Sequence, residues 1–164
     1  MQITTGLLRV VAQPLTAEAF APFGETFTRP SQVGRLDPHL LLQNRRPGAR
    51  AMVTLIRVSP KQVPIEVTML ERHPHSSQTF VPVQVARYLI VVAPKLSGGG
   101  PDLARVQAFV AAGNQGVNYH VDTWHHGLTA LDQEGEFAVF MWNDGSDADT
   151  EFLPLSDHFV VQAP

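Results

Sequence analysis

The sequence predicts an all-β fold, an antiparallel sandwich or barrel carrying one or two short helices. Three observations point there. Short apolar runs alternate with polar residues at about ten-residue spacing and are separated by Gly or Pro, the pattern of a sheet meander rather than of βαβ units. Helical periodicity is almost absent. Polar, titratable residues gather in two segments between apolar runs, an arrangement suited to the mouth of a small barrel.

Leu7 to Val11 reads as the opening strand, and Thr16 is placed to cap a short helix over Ala17-Glu18-Ala19-Phe20 that Pro22 and Gly24 stop. From Thr28 to Arg50 the chain is rich in Pro, Gly, Asn and Arg, which predicts turns with one short strand at Leu40-Leu41-Leu42. Met52 to Val58 is strand-like and apolar on both faces. In the next strand Ile65, Val67 and Met69 alternate with Glu66, Thr68 and Leu70, which sets Glu71 and His73 on one face. Arg72 then points the other way unless a bulge re-aims it. Phe80 to Val85 and Arg87 to Ala93 are two further strands, and Ser97 to Pro101 is a connector with no Lys-Ser or Lys-Thr behind it to make a phosphate loop. Val106 to Val110 is a strand leading to the turn Gly113-Asn114-Gln115-Gly116. Leu128 to Leu131, Phe137 to Trp142, Phe152 to Leu155 and Phe159 to Val161 complete the set, with a polar loop over Asn143 to Thr150.

At 164 residues, 44% hydrophobic and 16% charged with a net charge of -3, the chain suits a single domain over 1–164 with a sizeable core. No basic excess suggests nucleic acid. Without cysteine there is no disulfide, thiolate metal site or thiol nucleophile. Met1 to Gly6 lack the basic start and apolar core of a leader, and no window has the roughly 18 apolar residues of a membrane span, so a cytoplasmic protein is the expectation.

Five of the seven histidines fall in the two polar segments, Glu71 to Pro82 and Asn118 to His126. Such groups are costly to hold near a core unless they meet each other or a ligand. Glu71, His73 and Gln78 stand at the spacing of a first cupin motif, and His125 stands where a shortened second motif puts its histidine. Glu71, His73 and His125 are therefore the candidates for a three-ligand metal site with open positions. The same groups suit acid–base work, because imidazole titrates near neutrality.

At these residues the chain resembles the ureidoglycolate lyase family. The likeness is carried by Leu70-Glu71-Arg72-His73-Pro74 with Gln78, Phe80 and Pro82, by Gln115-Gly116-Val117-Asn118-Tyr119-His120, and by Trp124-His125-His126. Pro14-Leu15-Thr16 and Phe20-Ala21-Pro22-Phe23-Gly24-Glu25 extend it to the start of the chain. The chain departs from some members after Phe140, where Met141-Trp142-Asn143 replaces an Asp-Arg pair. The resemblance implies a cupin-like antiparallel β-barrel (double-stranded jelly roll), a homodimer, nickel as the metal with no nucleotide or organic cofactor, and cleavage of (S)-ureidoglycolate to glyoxylate and urea. On this reading His73 and His125 transfer protons or ligate metal, and Glu71 orients or ligates. Arg72 takes the substrate carboxylate, while Gln78, Asn118, His120 and Trp124 contribute to substrate binding. Two other readings stay open: a different cupin enzyme, a metal-dependent dioxygenase or isomerase acting on a small acid, and a non-enzymatic barrel that binds a small anion.

Overall fold

The computed structural model describes residues 7–164; Met1 to Gly6, where a leader was sought, lie outside the described residues. The chain enters as β1 (Leu8–Val11) and β2 (Gln13–Pro14), turns through α1 (Ala17–Phe20) and continues as β3 (Gly24–Thr28). Thr16 caps α1 by accepting the Ala19 amide at 3.2 Å. There follow β4 (Arg50–Val58), β5 (Ile65–Arg72), β6 (Gln78–Gln84) and β7 (Arg87–Ala93). After a single 3-10 turn at Leu103–Arg105 come β8 (Gln107–Ala112), β9 (Gln115–Tyr119) and β10 (Trp124–His125). The chain ends with β11 (Thr129–Leu131), β12 (Gly135–Asn143) and β13 (Glu151–Gln162).

These strands form two sheets. The larger runs β1-β13-β5-β10-β7-β8-β2, with β11 also on β7; the smaller runs β3-β9-β6-β12-β4. Only Ala12 separates β1 from β2, so the larger sheet curls until its ends nearly meet, and the Ala12 amide donates to Gln162. Inside that curl pack Ile65, Val67, Leu70, Val91, Trp124, Phe159 and Val161. The outer side of β7 and β8 faces the smaller sheet across a second core of Phe20, Phe80, Ile90, Val92, Phe109, Tyr119 and Phe137. Side chains alternate along β7, so Val91 feeds one core and Val92 the other, and its seven residues are nearly all apolar for that reason. Each such fully buried side chain contributes roughly 1.5–3 kcal/mol relative to exposure. Gly24 lets β3 lie against β9, since a Cβ there would stand 1.8 Å from the Asn118 carbonyl.

The fold is the all-β, cupin-like barrel expected, with differences in detail. Leu40 to Leu42 form no strand, because their backbone is satisfied locally and by side chains: Leu41 donates to Glu25 at 3.3 Å, and Gln43 to Ser77 at 2.9 Å. The two terminal strands are one, β13, broken in register between Pro154 and Phe159. β4, apolar on both faces, is an edge strand whose first six residues are exposed. Among the described residues no helix is long and apolar enough to cross a membrane.

Candidate active site

Strand register builds the site as two facing rows. In the larger sheet Val92, His125, Glu71 and Phe152 stand side by side; in the smaller, Tyr119, Gln78, Met141 and Met52. The rows touch where the Tyr119 ring stacks on His125, at 4.4 Å between centroids and 13° between planes. Away from that contact exposure rises toward Phe152 and Met52 at the far ends of the rows, and the space between the two rows is called the cup below. His73, just past the end of β5, turns into the same space with its ring 5.4 Å from that of His125.

Hydrogen bonds fix what the histidines present. The Nδ1–H of His73 donates to the Asp149 carbonyl at 2.9 Å, and that of His125 to the Thr123 carbonyl at 2.9 Å. Each ring therefore turns Nε2 toward the cup. The His73 Nε2 atom is buried without a hydrogen-bond partner. His125 Nε2 lies 3.3 Å from Glu71 Oε1, and the carboxylate and both imidazoles bring one ligand atom each within 4.8 Å of one another. Two buried imidazole nitrogens and a half-buried carboxylate oxygen facing one another are unstable without a positive charge among them, whether a proton on His125 or a metal ion. One carboxylate and two imidazoles, each steadied by a backbone carbonyl behind it, suit a divalent transition metal.

The local electrostatics agree. Burial alone would raise the Glu71 carboxyl, but the hydrogen bond to His125 and the attraction of that ring outweigh it and hold the group below its ordinary range. Burial, reinforced by His125, lowers His73 and keeps it neutral. Burial likewise lifts the Tyr119 phenol well above its usual value, so it stays protonated against His125.

Of the eight residues expected at the site, the structure brings four together: Glu71, His73, His125 and Gln78, whose Oε1 is buried and unpartnered. The other four have different surroundings. Arg72 follows the simple alternation and leaves β5 on the face opposite Glu71. It pairs with Asp122 at 2.9 Å and Glu151 at 2.7 Å, donates to Gly99 at 3.0 Å, and lies 4.7 Å over the Trp124 ring. Trp124 packs in the core of the curled sheet and donates its indole N–H to the same Gly99 carbonyl at 2.9 Å. Asn118 and His120 flank Tyr119 and so project from the opposite face of the smaller sheet. There Asn118 accepts from Thr79 at 2.7 Å and donates to Glu25 at 2.7 Å, while His120 pairs with the other oxygen of Glu25. Asn118 gives its amide hydrogens to Glu25 and to the Leu41 carbonyl at 3.2 Å, which leaves it no free donor for a guest in the cup.

Two contributors were not singled out from the sequence. Tyr119 was visible in principle, since an aromatic residue two positions after Val117 continues the inward face of β9. Asp149 was not, because its role depends on the fold of a polar loop. Buried at 4% exposure, it accepts the His75 amide at 2.6 Å and Arg46 at 3.2 Å, and its own carbonyl holds His73.

Known proteins resemble this chain along most of its length. A family model described as ureidoglycolate lyase matches residues 7–162. The ureidoglycolate lyase of Burkholderia mallei (strain NCTC 10229) is 40% identical over 154 residues, covering 88% of this chain and 89% of that one. That of Pseudomonas savastanoi pv. phaseolicola is 33% identical over 163 residues, covering 93% and 95%. Among solved structures, a dTDP sugar isomerase from Desulfovibrio desulfuricans G20 shares the fold, with a TM-score of 0.53 at 17% identity over 82% of this chain and 87% of that one.

Proposed function

Because the chain belongs to the ureidoglycolate lyase family, we propose that it cleaves ureidoglycolate to glyoxylate and urea in the cup, at Glu71, His73 and His125. One observation carries the placement: the half-buried Glu71 carboxylate and the two buried imidazoles bring one ligand atom each within 4.8 Å of one another. On the family resemblance, the working unit is a cytoplasmic homodimer and the substrate the (S) enantiomer.

Ureidoglycolate bears a carboxylate and, on the adjacent carbon, both a hydroxyl and the ureido nitrogen. Cleavage breaks that carbon–nitrogen bond: the hydroxyl loses its proton, its oxygen becomes the aldehyde carbonyl, and the departing nitrogen gains a proton. His73 is held neutral with its Nδ1–H committed to Asp149, so Nε2 offers a lone pair to the hydroxyl proton. His125, with a proton on Nε2 shared toward Glu71, returns one to the nitrogen of urea. Glu71 steadies that cationic ring, and the Gln78 carboxamide oxygen accepts from the ureido N–H groups. Tyr119, stacked on His125, fixes the plane in which the proton moves.

The same three side chains are the ones that would hold a metal, nickel on the family resemblance, and when bound it would supply positive charge for the substrate's carboxylate. A ligating Nε2 cannot also carry a proton, so metal and imidazole acid–base chemistry are alternatives. The test is the release of glyoxylate and urea from racemic ureidoglycolate, with and without chelator. Equal release of both products supports the reading, and chelator sensitivity assigns the three residues to a metal. Absence of both products overturns it.

A further inference from the structure

Beside the link that carries the chain from β9 to β10 lies a hollow of about 280 Å³, with Phe23 as an apolar wall. Three basic side chains reach it from separate parts of the chain: Arg45 from the segment ahead of β4, Lys95 from just past β7, and His120 from the link itself. None of them serves the reaction in the cup. Arg45 is exposed, makes no ion pair among the described residues, and touches only the Pro74 carbonyl, at 3.5 Å. Lys95 shares the Asp122 carboxylate with Arg72, which has Glu151 as well. His120 commits Nε2 to Glu25, and among the described residues its Nδ1 has no hydrogen-bond partner.

The charges do not balance without a guest. With both ring nitrogens protonated, His120 joins Arg45 and Lys95 as three positive charges against the two negative charges of Glu25 and Asp122, while Arg72 is matched by Glu151. One positive charge is left over, which a single carboxylate would neutralise. A guanidinium, an ammonium and an imidazolium N–H around one small space are the donors such a group takes.

The same link braces the cup. The Asp122 amide donates to the His73 carbonyl at 2.8 Å, and the Thr123 carbonyl accepts from His125 Nδ1–H at 2.9 Å. Toward the hollow, the Thr123 hydroxyl and the His120 amide both donate to the Phe23 carbonyl, at 3.2 and 2.9 Å. Asp122 is held at φ 69°, in the left-handed region that few residues other than glycine adopt. When Lys95 turns from Asp122 to an anion, the change at Asp122 is therefore felt at both imidazoles.

We propose that this hollow is a second carboxylate site, distinct from the cup, and that a short carboxylic acid of the class of the product glyoxylate binds there and slows turnover through the link. The effect on turnover rests on the proposed reaction in the cup; binding does not. Because Arg45 and Lys95 are open to solvent, binding is expected in the millimolar range, Kd about 1 mM, and weaker in salt.

The test uses the full-length protein and sodium glycolate, an unreactive short hydroxy acid. The His120 ring signal, assigned by its loss in His120→Gln, is followed by NMR in the wild type, in His73→Ala and in Arg45→Gln, whose side chain is on the surface. The signal is expected to move with the same midpoint in the wild type and His73→Ala, and with a midpoint about tenfold higher or more in Arg45→Gln. A signal that stays still, or an equal midpoint in Arg45→Gln, overturns the site. Sodium phosphate at matched ionic strength that moves the signal at lower concentration than glycolate overturns the assignment to a carboxylate. In the ureidoglycolate assay, saturating glycolate is expected to lower the wild-type kcat about fivefold and, in Arg45→Gln, to raise KM alone. An unchanged wild-type kcat with the His120 signal moved overturns the coupling. Ureidoglycolate left uncleaved while that signal moves as expected overturns the proposed function and leaves the second site standing.

Discussion

Replacing Asp149 by Ala tests how the loop between β12 and β13 supports the site. The Asp149 carboxylate accepts from Arg46 and from the His75 amide, and the Arg46 side chain is 12% exposed. Breaking a buried ion pair costs about 3–5 kcal/mol, because the remaining charge stays buried. Arg46 keeps Asp144 at 2.9 Å and the Trp142 carbonyl at 3.2 Å, so the low end, about 3 kcal/mol, is the appropriate figure. For a chain of this length that lowers Tm by roughly 6–12 °C. The backbone carbonyl of the same residue holds His73, so a loosened loop also releases the imidazole, and kcat should fall about tenfold or more. Asp149→Asn, which keeps an acceptor for His75 and removes the charge, should lose roughly half as much stability. Urea unfolding and steady-state turnover, measured on the same preparations, check both effects. A Cm for Asp149→Ala equivalent to a loss of less than about 0.5 kcal/mol, with normal turnover, would refute the reasoning.

Arg72→Ala should cost about 2–4 kcal/mol, through its pairs with Asp122 and Glu151 and its packing on Trp124, while kcat/KM changes less than about tenfold. A hundredfold loss of activity in a normally stable variant would return the guanidinium to the reaction. For metal binding, calorimetry with nickel should give one site per chain, weakened about a hundredfold or more in His125→Ala; equal affinity in both proteins would move the metal elsewhere. Burial pushes the Glu25 carboxyl up, but hydrogen bonds from His120 and Asn118 dominate and hold it below its ordinary 4.5. With the folded value depressed, the stabilisation is present above about pH 4.5 and is lost as pH falls through the folded value. Glu25→Gln should therefore flatten the acid limb of the unfolding curve, and an unchanged limb would dismiss the pair as a contributor.

Much of the fold was legible because two-residue alternation and turn residues are local signals. Leu89 to Ala93 and Phe137 to Trp142 read as strands without knowledge of their neighbours, and the split of Glu71 and His73 from Arg72 followed from the same rule. The capping of a four-residue helix by Thr16 is equally local. What the sequence hid is pairing. Nothing in Asn118 or His120 announces that Glu25, more than ninety residues earlier, meets both, or that Trp124 packs inside a curled sheet while its neighbour His125 faces the cup. The exposure of β4 was hidden for the same reason: an apolar strand reads as core until its place at the edge is known. Asp149 is legible only once the loop is folded, since it acts through a carbonyl that every residue possesses.

The central claim is that the cluster of Glu71, His73 and His125 is where ureidoglycolate reacts. It is tested most directly by kcat/KM for ureidoglycolate in His73→Ala, a variant that removes one buried imidazole and leaves the strands intact. The account predicts a fall of about two orders of magnitude or more with unfolding still cooperative. A near-normal rate would contradict it.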